Sequence, residues 1–423
     1  MTSRRSALSR LSPSQRVAGI GFLVLALVLV AYAIRVGTPL RYGDEKEYVG
    51  IAQGIVDGQG YRLYGAESAY RPPAWPLLLA AFLAVGLPTW LLPVVPAILL
   101  VIAAAAAGVA AVRISGRPLG ALAAPAVLLY PIDAYTATTL YPQALATAGL
   151  ALLVLLATRA QDGAPLSVLA CAAVGLLMAV EVLSVPTMAL TALVVGAWIL
   201  VRQKGNRVRF AAIGGAAAAL PVLAWTAFNT VRFGTPVLIS TSGGQNLLIG
   251  NNPSATGDSG VDVDIDRYLE AAVGMSEPDR DAYLRQSAID WILSDPVAAL
   301  RLYVAKTVNY FSPYNAPTTA VEGTDSTARI ALVVLAFVVL IAATSVRFGL
   351  HRRLSVQPVE WLVVGLFVAN GPFMALFFTR TRFRQPLDAI LLIEAAIGVV
   401  LVVVWLLDRY RSRRARREPE EAA

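Results

Sequence analysis

The segment Tyr42-Gly43-Asp44-Glu45-Lys46-Glu47-Tyr48 sets adjacent carboxylates directly after a first long apolar run. A carboxylate there can take a proton from a hydroxyl group or hold a divalent cation. The alternative is a solvated loop opening an amphipathic helix, with Asp44 near its N-terminus. A second acidic position, Asp133, follows another apolar run in Tyr130-Pro131-Ile132-Asp133-Ala134-Tyr135. Tyr130, Tyr135 and Tyr141 read equally well as aromatic belt residues at a membrane interface. Three arginines alternate in Thr379-Arg380-Thr381-Arg382-Phe383-Arg384, and Arg71 precedes Pro72-Pro73. Guanidinium forks match phosphate oxygens, and the alternative is snorkelling to lipid headgroups. The run Gly250-Asn251-Asn252-Pro253-Ser254-Ala255-Thr256-Gly257 is turn-rich. The Asn251 and Asn252 amides could hydrogen-bond hydroxyls, although turn chemistry also explains them. Asn252-Pro253-Ser254 is not a glycosylation acceptor, because proline holds its middle position. Glu181, Asp388 and Glu394 fall within or at the ends of apolar runs, where carboxylates are functional candidates or helix-pairing groups.

Much chemistry is excluded by residues that are scarce. The single cysteine, Cys171, lies in an apolar run and reads as a small packing residue, so no intramolecular disulfide or Cys-pair metal site can form. The single histidine, His351, sits in the basic stretch 347–353, which removes H-E-x-x-H zinc chemistry and disfavours a Ser-His-Asp triad. Neither a Walker A sequence nor G-x-G-x-x-G occurs. Catalysis would rest on carboxylates, arginines, lysines, tyrosines or amides.

These groups must be positioned by membrane helices. The 423-residue chain is 57% hydrophobic and 15% charged, against about 25% charged in soluble domains. Apolar runs near the length of a span recur at about 17–35, 90–112, 118–132, 143–158, 166–183, 187–202, 210–229, 328–346 and 386–408. A tenth, 359–378, contains Asn370-Gly371-Pro372 and reads as a kinked span. Val17 to Arg35 is too long for a typical signal-peptide core and reads as a retained first span. The net charge of +8 does not indicate nucleic acid. The basic groups flank apolar runs, and ten spans bring them all to one side, as the positive-inside rule requires, if 74–87 does not cross. That stretch is expected as a helix on or dipping into the outer leaflet.

The predicted organisation is therefore an all-α polytopic bundle of about ten transmembrane helices. It comprises a cytoplasmic tail 1–16, a membrane module 17–229 with outer loop 36–90, an extracytoplasmic segment 230–327, C-terminal spans 328–408 and a cytoplasmic tail 409–423. Asp281 to Phe311 is expected to be amphipathic helix. Asp44 and Asp133 then face the same side. Acidic residues from two loops on one face suit sugar transfer, one deprotonating the acceptor and the other orienting the sugar or a cation.

Taken in order, these pieces resemble the GT-C superfamily of integral membrane glycosyltransferases, and within it the branch of bacterial protein O-mannosyltransferases and the lipid A aminoarabinose transferase. The resemblance covers most of the chain. It is carried by Tyr42 to Tyr48, Ala69-Tyr70-Arg71-Pro72-Pro73-Ala74-Trp75-Pro76, Gly244-Gln245-Asn246 with Gly250-Asn251-Asn252-Pro253, Trp291 to Pro296 with Lys306, and Arg382-Phe383-Arg384-Gln385-Pro386-Leu387-Asp388. It implies a bacterial cell-membrane enzyme with an extracytoplasmic active site. A sugar would pass from a polyprenyl phosphate to a glycan, lipid or protein acceptor of the cell envelope, usually with inversion. By resemblance Asp44 acts on the acceptor side as base or metal partner, with Glu45 beside it. Arg71, Arg382 and Arg384 hold the donor phosphate, and Arg380 extends that set. Asp133, Tyr141, Gln143, Asn251 and Asn252 are the sugar or acceptor candidates. A divalent cation (Mg or Mn) would fall to Asp44 and Asp133. Two departures stand out: relatives often carry an acidic residue where this chain has Gln143, and Arg-Pro where it has Val185-Pro186. Without the second carboxylate, Asp133 takes over its work or the site is metal-free. Competing readings are a transporter or flippase of lipid-linked sugars, which should show inverted repeats, and a catalytically inactive scaffold.

Overall fold

The computed structural model describes residues 13–37, 40–258, 263–315 and 327–417. Most of the tail 1–16 and the end of the tail 409–423 lie outside the described residues. Seventeen α-helices follow in chain order: α1 (Pro13–Val36), α2 (Gly43–Val56), α3 (Ala74–Ala84), α4 (Val94–Ser115), α5 (Ala123–Leu129), α6 (Pro131–Thr136), α7 (Gln143–Ala160), α8 (Val168–Ser184), α9 (Ala189–Arg202), α10 (Arg207–Phe233), α11 (Gly243–Gly250), α12 (Asp266–Ala271), α13 (Glu277–Ser294), α14 (Pro296–Tyr310), α15 (Thr327–Gly349), α16 (Pro358–Met374) and α17 (Thr381–Arg417). The strands among the described residues are a two-residue pair, β1 (Arg62–Leu63) with β2 (Ala66–Glu67).

The chain is a multi-pass membrane protein. Six helical stretches among the described residues are long and apolar enough to cross a bilayer: 19–36, 89–115, 143–160, 207–233, 327–349 and 381–412. The other four of the ten expected spans are apolar helices of 10–17 residues, 118–129, 168–184, 186–202 and 358–374. Proline lies at or near the ends of two of these helices. Pro131 starts α6 directly after Tyr130 ends α5 in an extended conformation. Pro372 lies in the last turn of α16, which ends two residues later at Met374. The 74–87 stretch is helical as expected, and Trp75 and Leu79 of α3 pack on Tyr48, Val49 and Ala52 of α2.

The bundle centre is α4, α7 and α17, whose apolar stretches are mostly buried, whereas α1, α10 and α15 leave most of theirs exposed. An apolar helix exposed along most of its surface is stable only against lipid. Close packing in the centre depends on small residues: α4 carries Ala103 to Gly108, and Gly108 lies directly against Ala124. Cys171 is buried in this core and unpaired.

The expected helix over 281–311 divides in two. Asp295-Pro296 ends α13 and starts α14, with the Asp295 carboxylate accepting from Ala298 N at 3.0 Å. Leu248, Ile265, Leu284 and Ala288 form a small separate core joining α11, α12 and α13. One end of the molecule therefore gathers the starts of α2 and α17, the turn before α7, and the segment 69–73.

Candidate functional site

Asp44 sits in the first turn of α2 and meets two arginines from distant parts of the chain. Its Oδ1 accepts from Arg71 Nη2 at 2.6 Å and its Oδ2 from Arg382 Nη2 at 3.2 Å. Glu47, one helical turn on, accepts from Arg71 Nε at 2.5 Å and from the Tyr64 hydroxyl at 2.8 Å. The Arg71 guanidinium lies 5.1 Å from the centres of both the Tyr48 and Tyr70 rings, and that of Arg382 lies 4.5 Å from the Tyr141 ring. Arg382 Nε is buried and makes no hydrogen bond. Burial alone would raise the Asp44 pKa. The charges of Arg382 and Arg71 outweigh it and hold the carboxyl below its ordinary value.

Glu45 points away from this pair. It is buried, with Oε2 accepting from Tyr42 N at 3.1 Å and Oε1 from Leu140 N at 2.8 Å. It caps the start of α2 and ties it to the turn bearing Tyr141, whose ring packs 5.6 Å from that of Tyr42. The Tyr42 and Tyr135 hydroxyls are in contact.

The three alternating arginines separate. Because α17 starts at Thr381, Arg382 and Arg384 are two residues apart on a helix and face different ways. Arg384 is fully buried, pairs with Asp388 at 2.9 Å, and donates to the carbonyls of Tyr310 and Ser312. Arg380 stacks 4.8 Å from the Phe378 ring. Three residues beyond Arg382, Gln385 donates to Asp133 Oδ1 at 2.5 Å and accepts from Thr147 at 3.1 Å. Asp133 is fully buried with Oδ2 unpartnered, and the buried Gln143 Oε1 is also unpartnered. Burial pushes the Asp133 pKa well above the ordinary value, opposed by the Gln385 hydrogen bond and reinforced by Asp388.

Asn251 and Asn252 are structural ties. Asn251 donates to the Leu247 and Leu376 carbonyls, both at 2.8 Å, and Asn252 to that of Leu248 at 2.8 Å. Lys306, fully buried, donates to Gly250 O at 2.9 Å, Asn251 Oδ1 at 3.0 Å and Phe377 O at 2.9 Å. Burial lowers its pKa to about 8. Gly250 allows this approach, since a Cβ there would overlap the Phe377 carbonyl. Replacing Lys306 with Met orphans three acceptors at about 1–3 kcal/mol each. Lys306→Met should therefore lower the thermal midpoint in detergent by several degrees, measured by differential scanning fluorimetry, whereas an unchanged midpoint would mean that the tie is dispensable. Beside Lys306, a mostly apolar cavity of about 580 Å³ lies between α11, α13, α14 and the turn Ala375–Phe377.

Sequence reasoning passed over Glu47 and Gln385. Glu47 stands three residues from Asp44 and four before Ile51 on one helix, so its spacing was a usable signal. No pattern in the sequence singles out Gln385. A divalent cation fits this donor set poorly. Both Asp44 oxygens already face guanidinium groups and Asp133 is held in a different network. Among the described residues, no three His, Cys, Asp or Glu side chains gather to hold a metal.

No family model matches the chain, and no curated protein matches it. Two solved structures of ArnT from Cupriavidus metallidurans are similar to this chain. The one bound to undecaprenyl phosphate has a TM-score of 0.43 and 18% identity, covering 89% of this chain and 77% of that one. The one in the apo state has a TM-score of 0.42 and 18% identity, covering 89% and 76%.

Proposed function

We propose that the protein is a membrane glycosyltransferase that moves a sugar from a polyprenyl phosphate to a hydroxyl group of a cell-envelope glycan, lipid or protein, on the extracytoplasmic face of a bacterial cell membrane. The observation that carries this reading is the Asp44 carboxylate clasped by Arg71 and Arg382, which arrive from segments 27 and 338 residues away. Two guanidinium groups beside one carboxylate form an anion site with a base in it. The motif order read from the sequence supplies the reaction class.

In this reading the acceptor oxygen attacks the anomeric carbon as the bond from that carbon to the phosphate oxygen breaks. The bonding pair leaves with polyprenyl phosphate, and the acceptor proton passes to Asp44. The departing phosphate gains negative charge, and the two arginines stabilise it where that charge grows. Before donor binds, Asp44 occupies the guanidinium groups that the phosphate will take. Donor binding draws them off, and the carboxylate recovers the basicity that the arginines suppress. Glu45 is a positioning residue that fixes the start of α2 against the Tyr141 turn. Asp133, held by Gln385 one turn along α17 from Arg382, and Gln143 at the start of α7 each keep a buried unpartnered oxygen, and they are the candidates for sugar hydroxyls. Arg384 and Asp388 brace α17.

The arginines supply the positive charge that a metal would otherwise provide. Purified protein in nanodiscs should therefore consume a donor from a panel of polyprenyl-phosphate sugars equally well with and without EDTA. Loss of turnover in EDTA, restored by Mg²⁺ or Mn²⁺, would show that the reaction needs a cation and refute the metal-free form of the mechanism. A panel in which no donor is consumed or bound would count against the enzyme reading itself, in favour of a transporter or scaffold.

A further inference from the structure

The amphipathic helix α14 is built the reverse of a soluble one. Val297, Leu300, Val304 and Val308 are each more than half exposed, while Lys306 and Tyr310 are buried on the other side with Ala299. The spacing of three, four and four residues keeps the exposed apolar side chains in one stripe. Leu293 at the end of α13 is also exposed, and Arg301 is the charged neighbour on this face. A stripe of this kind has no stable place in water.

Its position in the fold indicates what covers it. α14 is bound along its length to the short stretch where α16 ends and α17 begins. Its first half lines a cavity with Ala375–Phe377. Lys306 donates to Phe377 O at 2.9 Å, and Asn309 to Thr379 O at 3.1 Å. Near its end, the Tyr310 hydroxyl reaches back to Phe367 O at 2.8 Å, and the Tyr310 ring packs against Gly371 in the last turn of α16. Phe367 lies seven residues inside the end of α16, about 10 Å along that helix. Thus α14 runs level with the end of one apolar helix and the start of a spanning one. The exposed Leu376 of that turn lines the same cavity as Leu300, so the apolar surface passes from α14 onto the turn.

We infer that α14 is an interfacial helix: its Val297–Leu300–Val304–Val308 stripe lies among the acyl chains at the edge of the bilayer, on the end of the bundle that holds Asp44. Arg301 reaches from the stripe towards the headgroups. The helix then fixes the height of the Asp44 site above the hydrocarbon, because Lys306 and Asn309 attach it to the turn leading into Arg382. Leu300 also lines the cavity between α11, α13 and α14, so the edge of that cavity meets the same lipid face. This inference concerns the bilayer as partner and is independent of the sugar-transfer reading.

The test uses full-length protein in nanodiscs, with Cys171→Ala as background and single cysteines at Val297, Leu300, Val304 and Val308. Each carries a nitroxide, and Gln286 and Asp290 on the exposed side of α13 are the aqueous controls. Power saturation should give an oxygen-to-nickel-chelate accessibility ratio several-fold higher at the four stripe positions than at the controls. Nickel-chelate access equal to that at Gln286 would overturn the inference, placing α14 in water. Low access to both relaxants together with spin–spin broadening would also overturn it, showing a second copy of the chain on the stripe. As an independent readout, the added fluorescence of Val304→Trp should be quenched by brominated lipids. Quenching no greater than in the unsubstituted chain would count against immersion.

Discussion

Asp44→Asn should lower sugar transfer by about 10²–10⁴-fold, the range typical of losing a positioned general base, while the protein remains folded. The substitution keeps the size of the side chain and retains one acceptor for an arginine. It removes the group that takes the proton and the charge that competes with the donor phosphate. Donor affinity should therefore hold or rise as turnover collapses, a split between binding and kcat that simple misfolding cannot produce. The arginines hold the resting carboxyl below its ordinary pKa of 3.8. The donor-free site thus stays ionised as pH falls towards 4, and any acid limb of donor binding above that pH must come from another group. Kinetics measured beside the unsubstituted enzyme check all three expectations, and a variant with normal turnover would remove Asp44 from the mechanism.

Arg382→Gln should lower kcat by about 10²–10³-fold, the usual loss when one preorganised donor to a developing anion is removed. Arg382→Lys should recover only part of that rate, because an ammonium group supplies charge without the fork. Arg382 is the better probe of the two arginines. Arg71 is also engaged with Glu47, so its loss would leave two carboxylates in a largely buried place and threaten the fold. Saturation kinetics for the three forms separate the cases. Equal kcat in Arg382→Gln would mean that this guanidinium does not meet the leaving phosphate.

The polar pieces of the site were legible in the sequence because they violate the membrane pattern. Asp44 follows a long apolar run, and on the topology read from the sequence Arg71 and Arg382 stand where the positive-inside rule disfavours cations. The resemblance put them in one site, but their direct pairing was not legible from spacing, since 338 residues separate Asp44 from Arg382. The alternation of Arg380, Arg382 and Arg384 misled for a definite reason. Residues two apart share a face in an extended segment, whereas on α17 they point different ways, and Arg384 turns inward to Asp388. Adjacency likewise said nothing about the division of labour between Asp44 and Glu45, which depends on the backbone amides of Tyr42 and Leu140. The span count relied on hydropathy. That measure reads apolar length, and the helix break at Tyr130-Pro131 is a backbone effect to which it is blind. Lys306 shows the same limit: a lysine within a polar segment gives no sign in sequence that three carbonyl-type oxygens will enclose it.

In the proposed mechanism a lipid phosphate displaces Asp44 from Arg71 and Arg382. Equilibrium binding of polyprenyl phosphate to the purified protein in nanodiscs tests this most directly, with the unsubstituted chain, Asp44→Asn and Arg382→Gln compared at one ionic strength. The account predicts binding that is unchanged or tighter in Asp44→Asn and at least several-fold weaker in Arg382→Gln. Equal affinity in all three folded proteins, or binding lost in Asp44→Asn and kept in Arg382→Gln, would contradict it.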